Sequence, residues 1–273
     1  MSLQLSIVSK VLLVCLYYLK LVTTNWRMVT HCGIDGYSRL VLFLKCSNNN
    51  RADTVYNLFL EAVHQYGLPS RIRCDQGREN NIRVAQHLLH HRGAERRSVL
   101  VGSSVHNQRI ERLWKDSHRC VTSTFYRLFY YLEYNELLDP ISEEHLFAVH
   151  YVFLPRVNRA LQQFRAAWND HRVRTEGGQT PNQLFTAGAL RLQNSGLPAF
   201  DFFQMVPEDY GNEEEGVAPE NSDSGVEVPA IGIQPTEAQL MQLQSAVDPL
   251  DDSDDYGISL YIRTLEVLRS WFS

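Results

Sequence analysis

The sequence predicts an α/β fold in which a mixed five-stranded sheet is flanked by helices. Three observations lead there. The chain opens with three apolar, partly β-branched runs, Val11–Tyr18, Arg27–Ile34 and Arg39–Cys46. Helix-period segments then alternate with short strand-like ones. The charge is also split. Residues 1–207 hold 24 Lys and Arg against 16 Asp and Glu, whereas Glu208–Asp255 hold 14 acidic residues and no Lys or Arg. The first part can fold around an apolar core, and the second is too acidic to join it readily.

Val11–Leu19 is a continuous apolar run between Lys10 and Lys20. It is far shorter than the roughly 20 residues a membrane span needs. No small-residue cleavage site follows cleanly, so a buried strand is expected and no membrane partner. The second and third runs are joined by Asp35-Gly36-Tyr37-Ser38, which suits an antiparallel hairpin. A helix is expected at about Arg51–Tyr66, with Val55, Leu58, Phe59, Ala62 and Val63 on one stripe and Gly67-Leu68-Pro69 ending it. Arg71–Cys74 is a short strand with Asp75 at its end. Asn80–His91 is a helix stopped by Gly93, and Ser98–Val101 a fifth strand. Helical patterns follow from about Val105 and again over Glu143–His171, separated by Pro140, with a kink expected at Pro155. This order, β-β-β-α-β-α-β-α-α, is that of a ribonuclease H-like core. The core with its helical extension is taken as residues 8–190. Residues 207–256 are expected to be a disordered acidic tail, with a short amphipathic helix over 257–273.

The five cysteines, Cys15, Cys32, Cys46, Cys74 and Cys120, show no metal-ligand spacing and fit a reducing compartment. Of the 24 basic residues in the first part 20 are Arg, whose planar fork suits phosphate. The basic core therefore points to a nucleic-acid partner, although a solvated surface of mixed charge would look the same on charge alone.

Asp75 ends a strand and Glu111 opens a helix, with 35 residues between them. Strand ends and helix starts meet at one edge of such a sheet, so the two carboxylates can converge on divalent metal. A pair of metal ions needs clustered carboxylate oxygens to clamp the attacking and leaving oxygens of a phosphodiester. Asn107, Glu111, Lys115 and Arg119 fall at successive i+4 steps, a polar and mostly cationic stripe suited to a phosphate backbone, opposite Ile110, Leu113, Trp114 and Val121. An ordinary amphipathic helix shows the same pattern. His87 and His91 stand at zinc-pair spacing, but no HExxH motif or third ligand completes them. Arg92, Arg96 and Arg97 suit either contact with DNA or simple solvation, and contact with DNA is expected because they lie near the strand edge that holds the site.

Three stretches, GIDGYSRLVLFLKCSNNNRADTV, YGLPSRIRCDQGREN and SVHNQRIERLWKD, together resemble the integrase catalytic core of retroviruses and retrotransposons. They are most similar to integrase-core proteins scattered through animal genomes. The later segment HLFAVHYVFLPRVNRALQQFRAAWNDHRVRTEGGQTPNQLF extends the likeness to about Gly188, with Thr180-Pro181 closing it. The resemblance implies strand order 3-2-1-4-5 over about residues 8–170, metal-dependent cutting and joining of DNA with Mg²⁺ or Mn²⁺, no small-molecule cofactor, a homo-oligomer, and a nuclear location. It implies metal ligands at Asp75 and Glu111, the second and third acids of the family pattern. The first acid belongs on the first strand, and counting back from Trp26 puts it near Tyr18. No acidic residue precedes Asp35. Asp35 matches a non-catalytic position and is the alternative first ligand. The zinc-binding domain that often precedes integrase cores has no counterpart here. The chain as written is therefore expected to be inactive in strand cutting. A non-catalytic DNA-binding domain, or a protein-interaction module whose acidic tail binds a basic partner, is the alternative.

Overall fold

The computed structural model describes residues 13–22, 24–74, 78–93, 96, 98–101, 108–194 and 228–271, without the side chains of 13–24, 74–80, 101, 108–111 and 192–194. The strands are β1 (Leu13–Val22), β2 (Met28–Asp35), β3 (Val41–Ser47), β4 (Arg71–Cys74) and β5 (Val99–Val101). The helices are α1 (Ala52–Tyr66), α2 (Arg78–Arg92), α3 (Gln108–Ser117), α4 (Ser123–Tyr134), α5 (Glu143–Asp170), α6 (Pro181–Asn194), α7 (Glu237–Ala246) and α8 (Ile258–Arg269). The strands form one sheet in the order β3-β2-β1-β4-β5, with β1–β2 and β2–β3 antiparallel and β1–β4 and β4–β5 parallel. The apolar run at the N-terminus is thus the central strand. Among the described residues no helix is long and apolar enough to cross a membrane.

The motif GIDGYSRL is explained by the β2–β3 hairpin. Asp35 is buried, and its carboxylate accepts from the backbone N–H of Ser38 at 2.8 Å and from the Ser38 hydroxyl at 2.6 Å. The same hydroxyl accepts from Leu40 N–H at 3.2 Å. Gly33 faces Phe43 so closely that a β-carbon there would lie 2.4 Å from the ring. The ladder pairs Gly33 with Phe43 and Ile34 with Val41, leaving Leu42 as a bulge. The bulge breaks the two-residue alternation. Leu42 and Phe43 both join the core under α1 and α2, whereas Val41, Leu44 and Cys46 join the other one.

That second core lies between the sheet and α3, α4 and α5, and is the larger. Trp26 is fully buried in it, edge-on to Tyr126, Phe129 and Tyr130, and its indole N–H donates to Glu133. The α5 helix starts on a Ser142 cap with Glu143 and Glu144 in its first turn, and is assigned as one helix through Pro155.

Strand β3 is an edge, and α5 completes it with side chains. Asn169 accepts from Val41 N–H at 2.9 Å and donates to Val41 C=O at 3.1 Å. Asn158 does the same for Cys46, at 2.8 and 2.9 Å. Arg165 donates to Val41 C=O and Trp168 to Arg39 C=O, each at 3.0 Å. Eleven helical residues rise about 16.5 Å, and five strand residues span about the same. Both amides therefore reach their backbone partners at once and close the edge at Val41 and at Cys46.

The expected disorder is corrected for residues 228–256, while 207–227 lie outside the described residues. Helix α7 begins with a capping box between Thr236 and Gln239. Helix α8 buries Tyr261, Leu265 and Leu268 against the core. The intervening backbone is tied to α5: Tyr151 donates to Val247 C=O at 2.8 Å, Arg159 to Leu250 C=O at 3.3 Å, and Arg156 to Asp251 C=O. Asp248 and Asp255 cap local turns, accepting from Leu250 N–H at 2.8 Å and from Ser259 N–H at 2.7 Å. Mean acidity suggested disorder because it averages over the few apolar residues that dock.

Candidate metal and nucleic-acid site

The site is expected where β1 and β4 run side by side. Their parallel register pairs Leu13 with Arg71, Val14 with Ile72, Cys15 with Arg73 and Leu16 with Cys74. The next residues in sequence are Tyr17 on β1 and Asp75 after β4. Asp75 and Asn107 lie outside the described residues. Glu111 lies in the first turn of α3, with its side chain outside the description. The register does refine one expectation. Tyr17 is the β1 residue immediately beyond the last β1–β4 pair, and Tyr18 the second, so both tyrosines are candidates for the position of the first acid.

The ten residues of β1, LVCLYYLKLV, include no carboxylate. On β2, Tyr17 is paired with Cys32 and Tyr18 with His31. His31 is buried, its Nε2 lies 3.2 Å from Asn49 C=O, and burial pushes its pKa down to about 4. It is therefore neutral at pH 7. Sequence reading did not single out His31, since a lone histidine in a strand carries no signal until its cross-strand partner is known.

Asp35 is built into the hairpin turn. It pairs with Val14, whereas Cys74 pairs with Leu16, so Asp35 stands two rows and two strands from the end of β4. That is roughly 12 Å from rises of about 3.3 Å and strand spacings of about 4.8 Å. A carboxylate that already accepts two short hydrogen bonds has reason enough to be there.

The cationic stripe is present on the described part of α3. Lys115 and Arg119 are exposed, and Arg112 is 80% exposed with Asp116 at 3.7 Å. Leu113, Trp114 and Val121 are buried on the opposite side as expected. A π-turn, His118–Thr122, joins α3 to α4 and interrupts the 3.6-residue period between Lys115 and Val121. His118 Nδ1 lies 3.0 Å from the Thr122 hydroxyl within that turn.

His87 and His91 stack at 4.3 Å, with His87 Nδ1 3.1 Å from the Tyr56 hydroxyl and His91 Nδ1 2.9 Å from His87 C=O. These contacts give the pair a structural role. The expectation for Arg92 and Arg96 is corrected. Arg92 donates to Leu68 C=O at 2.8 Å and Arg96 to the Ser70 hydroxyl at 3.1 Å, at the turn that enters β4. They lie at the opposite end of β4 from Asp75, because β4 and β5 run parallel. Arg97 lies outside the described residues.

The donor set does not fit a pair of divalent cations. Two such ions about 4 Å apart repel and need carboxylates to hold both. Asp75 and Glu111 are two, and β1 offers phenols, which stay neutral near pH 7 with a pKa of about 10.

The family model described as "Integrase core domain" matches residues 18–199, two thirds of the chain. No curated protein matches. Among solved structures, the HTLV-2 integrase catalytic core domain in complex with magnesium is 15% identical, covers 65% of this chain and 97% of its own, and superposes with a TM-score of 0.39. The catalytic core domain of BIV integrase is 15% identical over 67% and 99%, with a TM-score of 0.41. The simian T-cell lymphotropic virus intasome, in complex with a PP2A regulatory subunit, is 16% identical over 65% and 56%, also with a TM-score of 0.41. On the family match over residues 18–199, this chain belongs to the integrase core domain family.

Proposed function

We propose that this chain is an integrase core of mobile-element origin that binds duplex DNA in the nucleus and, as written, does not cut or join it. The carrying observation is the absence of a carboxylate from all ten residues of β1, the strand that pairs with β4. Family membership supports a DNA-integration type of activity for the ancestor. Exposed Arg112, Lys115 and Arg119 on α3 and its π-turn support contact with phosphates, and each contact releases counterions on binding. Bound metal would normally activate the attacking water or 3′-hydroxyl. With Asp75 and Glu111 alone, no such step is assigned to this chain. Assembly into a homo-oligomer is part of the same reading.

The test has two arms. A mobility shift with labelled duplex is expected to persist in EDTA and to weaken steeply with salt. Strand transfer with Mn²⁺ is expected to give no product from the chain as written. Product that Asp75→Asn or Glu111→Gln abolishes overturns the inactive reading, and product that Asp35→Asn abolishes makes Asp35 the first ligand.

A further inference from the structure

We propose that Tyr131 and Tyr134 on α4 form a stacking platform for the unpaired bases of a DNA strand whose phosphates lie along Lys115, Arg119 and Arg127. The inference rests on the DNA-binding reading above and adds the form of DNA that this face takes. The backbone stays helical from Gln108 to Tyr134, with right-handed helical angles at Ser117 and Ser123 on either side of the π-turn. The α3 helix, the turn and α4 are therefore one rod. In an unbroken α-helix each i+4 step drifts about 40° around the axis, because 3.6 residues make a turn. The wider π-turn winds less per residue and takes out roughly one such step of drift. The burial pattern follows this geometry. Leu113, Ser117, Val121, Leu128 and Leu132 are buried along one side of the rod. Lys115, Arg119, Arg127, Tyr130, Tyr131 and Tyr134 are exposed along the other.

The two halves of the exposed side differ in chemistry, cationic toward α3 and aromatic toward the end of α4. Tyr130 is held in place, edge-on to Trp26 at 5.1 Å and with its hydroxyl 3.3 Å from that of Tyr126. Tyr131 is 54% exposed and Tyr134 88%, one helical turn apart. Such rings offer flat apolar faces to bases, and every base has a face to match. The carboxylates nearest to them are engaged elsewhere. Glu133 accepts from the Trp26 indole, and Asp116 lies 3.7 Å from Arg112. From Arg119 to Tyr131 the rod rises about 18 Å, the length of about five nucleotides of one strand. Paired bases hide their faces in the stack, so only an unpaired strand brings phosphates and open base faces to one surface together. Cations in line with the rings favour that strand over an apolar protein surface.

Binding is measured by fluorescence anisotropy on the full chain, with a labelled oligo(dT) and, separately, a blunt duplex of the same length. Tyr131→Ala with Tyr134→Ala is expected to cost at least about fivefold in affinity for the single strand. Its salt slope is expected to stay unchanged, because a base that stacks releases no counterion. Tyr131→Phe with Tyr134→Phe keeps both rings and is expected to bind as wild type. Arg127→Gln is expected to lower the single-strand slope by about 0.7, the value of one phosphate contact. With a strand that carries 5-bromouracil, irradiation of the wild-type chain is expected to give cross-links that peptide mass spectrometry places on Tyr131 or Tyr134. An alanine variant that melts like wild type and binds the single strand equally well overturns the platform. So does one that loses duplex and single strand alike. If the variant melts lower, cross-links confined to other residues overturn it. A lower mass by light scattering with unaltered strand binding also overturns it, and makes the tyrosines a contact between copies of this chain. A wild-type chain that binds only duplex overturns the platform alone, whereas one that binds neither probe overturns the proposed function itself.

Discussion

The two sides of the sheet differ in what their side chains supply. Along β3, on one side, α5 provides an amide for Val41 and another for Cys46, an arginine for a shared carbonyl and an indole for the next. Along β1 and β4, where the family places its carboxylates, the described register offers Tyr17 and Tyr18 beyond the last pair. The first seam holds the fold together and the second would perform the chemistry. Among the described side chains none serves both, so a change at one is expected to leave the other intact.

The most damaging way to break this contrast is at the intact seam. Asn158→Leu with Asn169→Leu leaves the N–H and C=O of Val41 and Cys46 without their partners. An unmet buried polar group costs about 1–3 kcal/mol, and Arg165 still serves one carbonyl. The pair is expected to lower unfolding free energy by about 4 kcal/mol, measured by urea denaturation, and to promote aggregation through the opened edge. A loss below about 1 kcal/mol would show that water replaces the amides without penalty.

Acid should act on the other side of the contrast, next to β1. The folded pKa of His31 is about 4 against an ordinary 6.5. The unfolded chain then binds the proton first, so stability is full above pH 6.5 and falls as pH drops toward 4. Between pH 7 and 5 the expected loss from this group is about 2 kcal/mol. His87, His145 and His150 have pKa values lowered mainly by burial and add to the same slope. His31→Gln should flatten the acid limb of the stability profile. An unchanged limb would assign the acid sensitivity to the other three.

Repairing the chemical seam should leave the structural one untouched. Tyr17→Asp and Tyr18→Asp are expected to give Mn²⁺ binding by calorimetry in one of the two, the one that faces Asp75. If both bind Mn²⁺ no better than the starting chain, the missing acid does not lie at either position. The smallest expected effects are on the α3 face. Lys115→Gln and Arg119→Gln should each lower the salt slope of DNA binding by about 0.9, with little change in melting temperature. A slope unaffected by either would remove that face from the interface.

Much of this was legible in the letters. Val55, Leu58, Phe59 and Ala62 announce α1 because helix burial repeats at three and four residues, and all four are buried. The hairpin follows from a turn whose aspartate and serine bond each other. What stayed hidden depends on chain direction or on distant partners. Arg92 and Arg96 are near β4 in sequence, but only the parallel ladder reveals which end they occupy. The π-turn at His118–Thr122 carries no periodic signature. The acidic segment over 228–256 was misread because five aspartates in Asp248–Asp255 outweigh the buried Leu243 and Val247 in any average. Two of those aspartates hold turns together through backbone N–H groups.

The spacing of Asn158 and Asn169 makes α5 a ruler. Its two marks read the same distance on a helix and on a strand, two lattices with different rises that agree here over 11 helical residues and five strand residues. Removing one residue between the marks swings one amide by about 100° around the helix axis, since a turn takes 3.6 residues, and no rotamer can recover that. Letters between Asn158 and Asn169 can drift, but their number cannot. Among descendants of this sequence, insertions and deletions should be absent from that interval even where every exposed residue in it has changed.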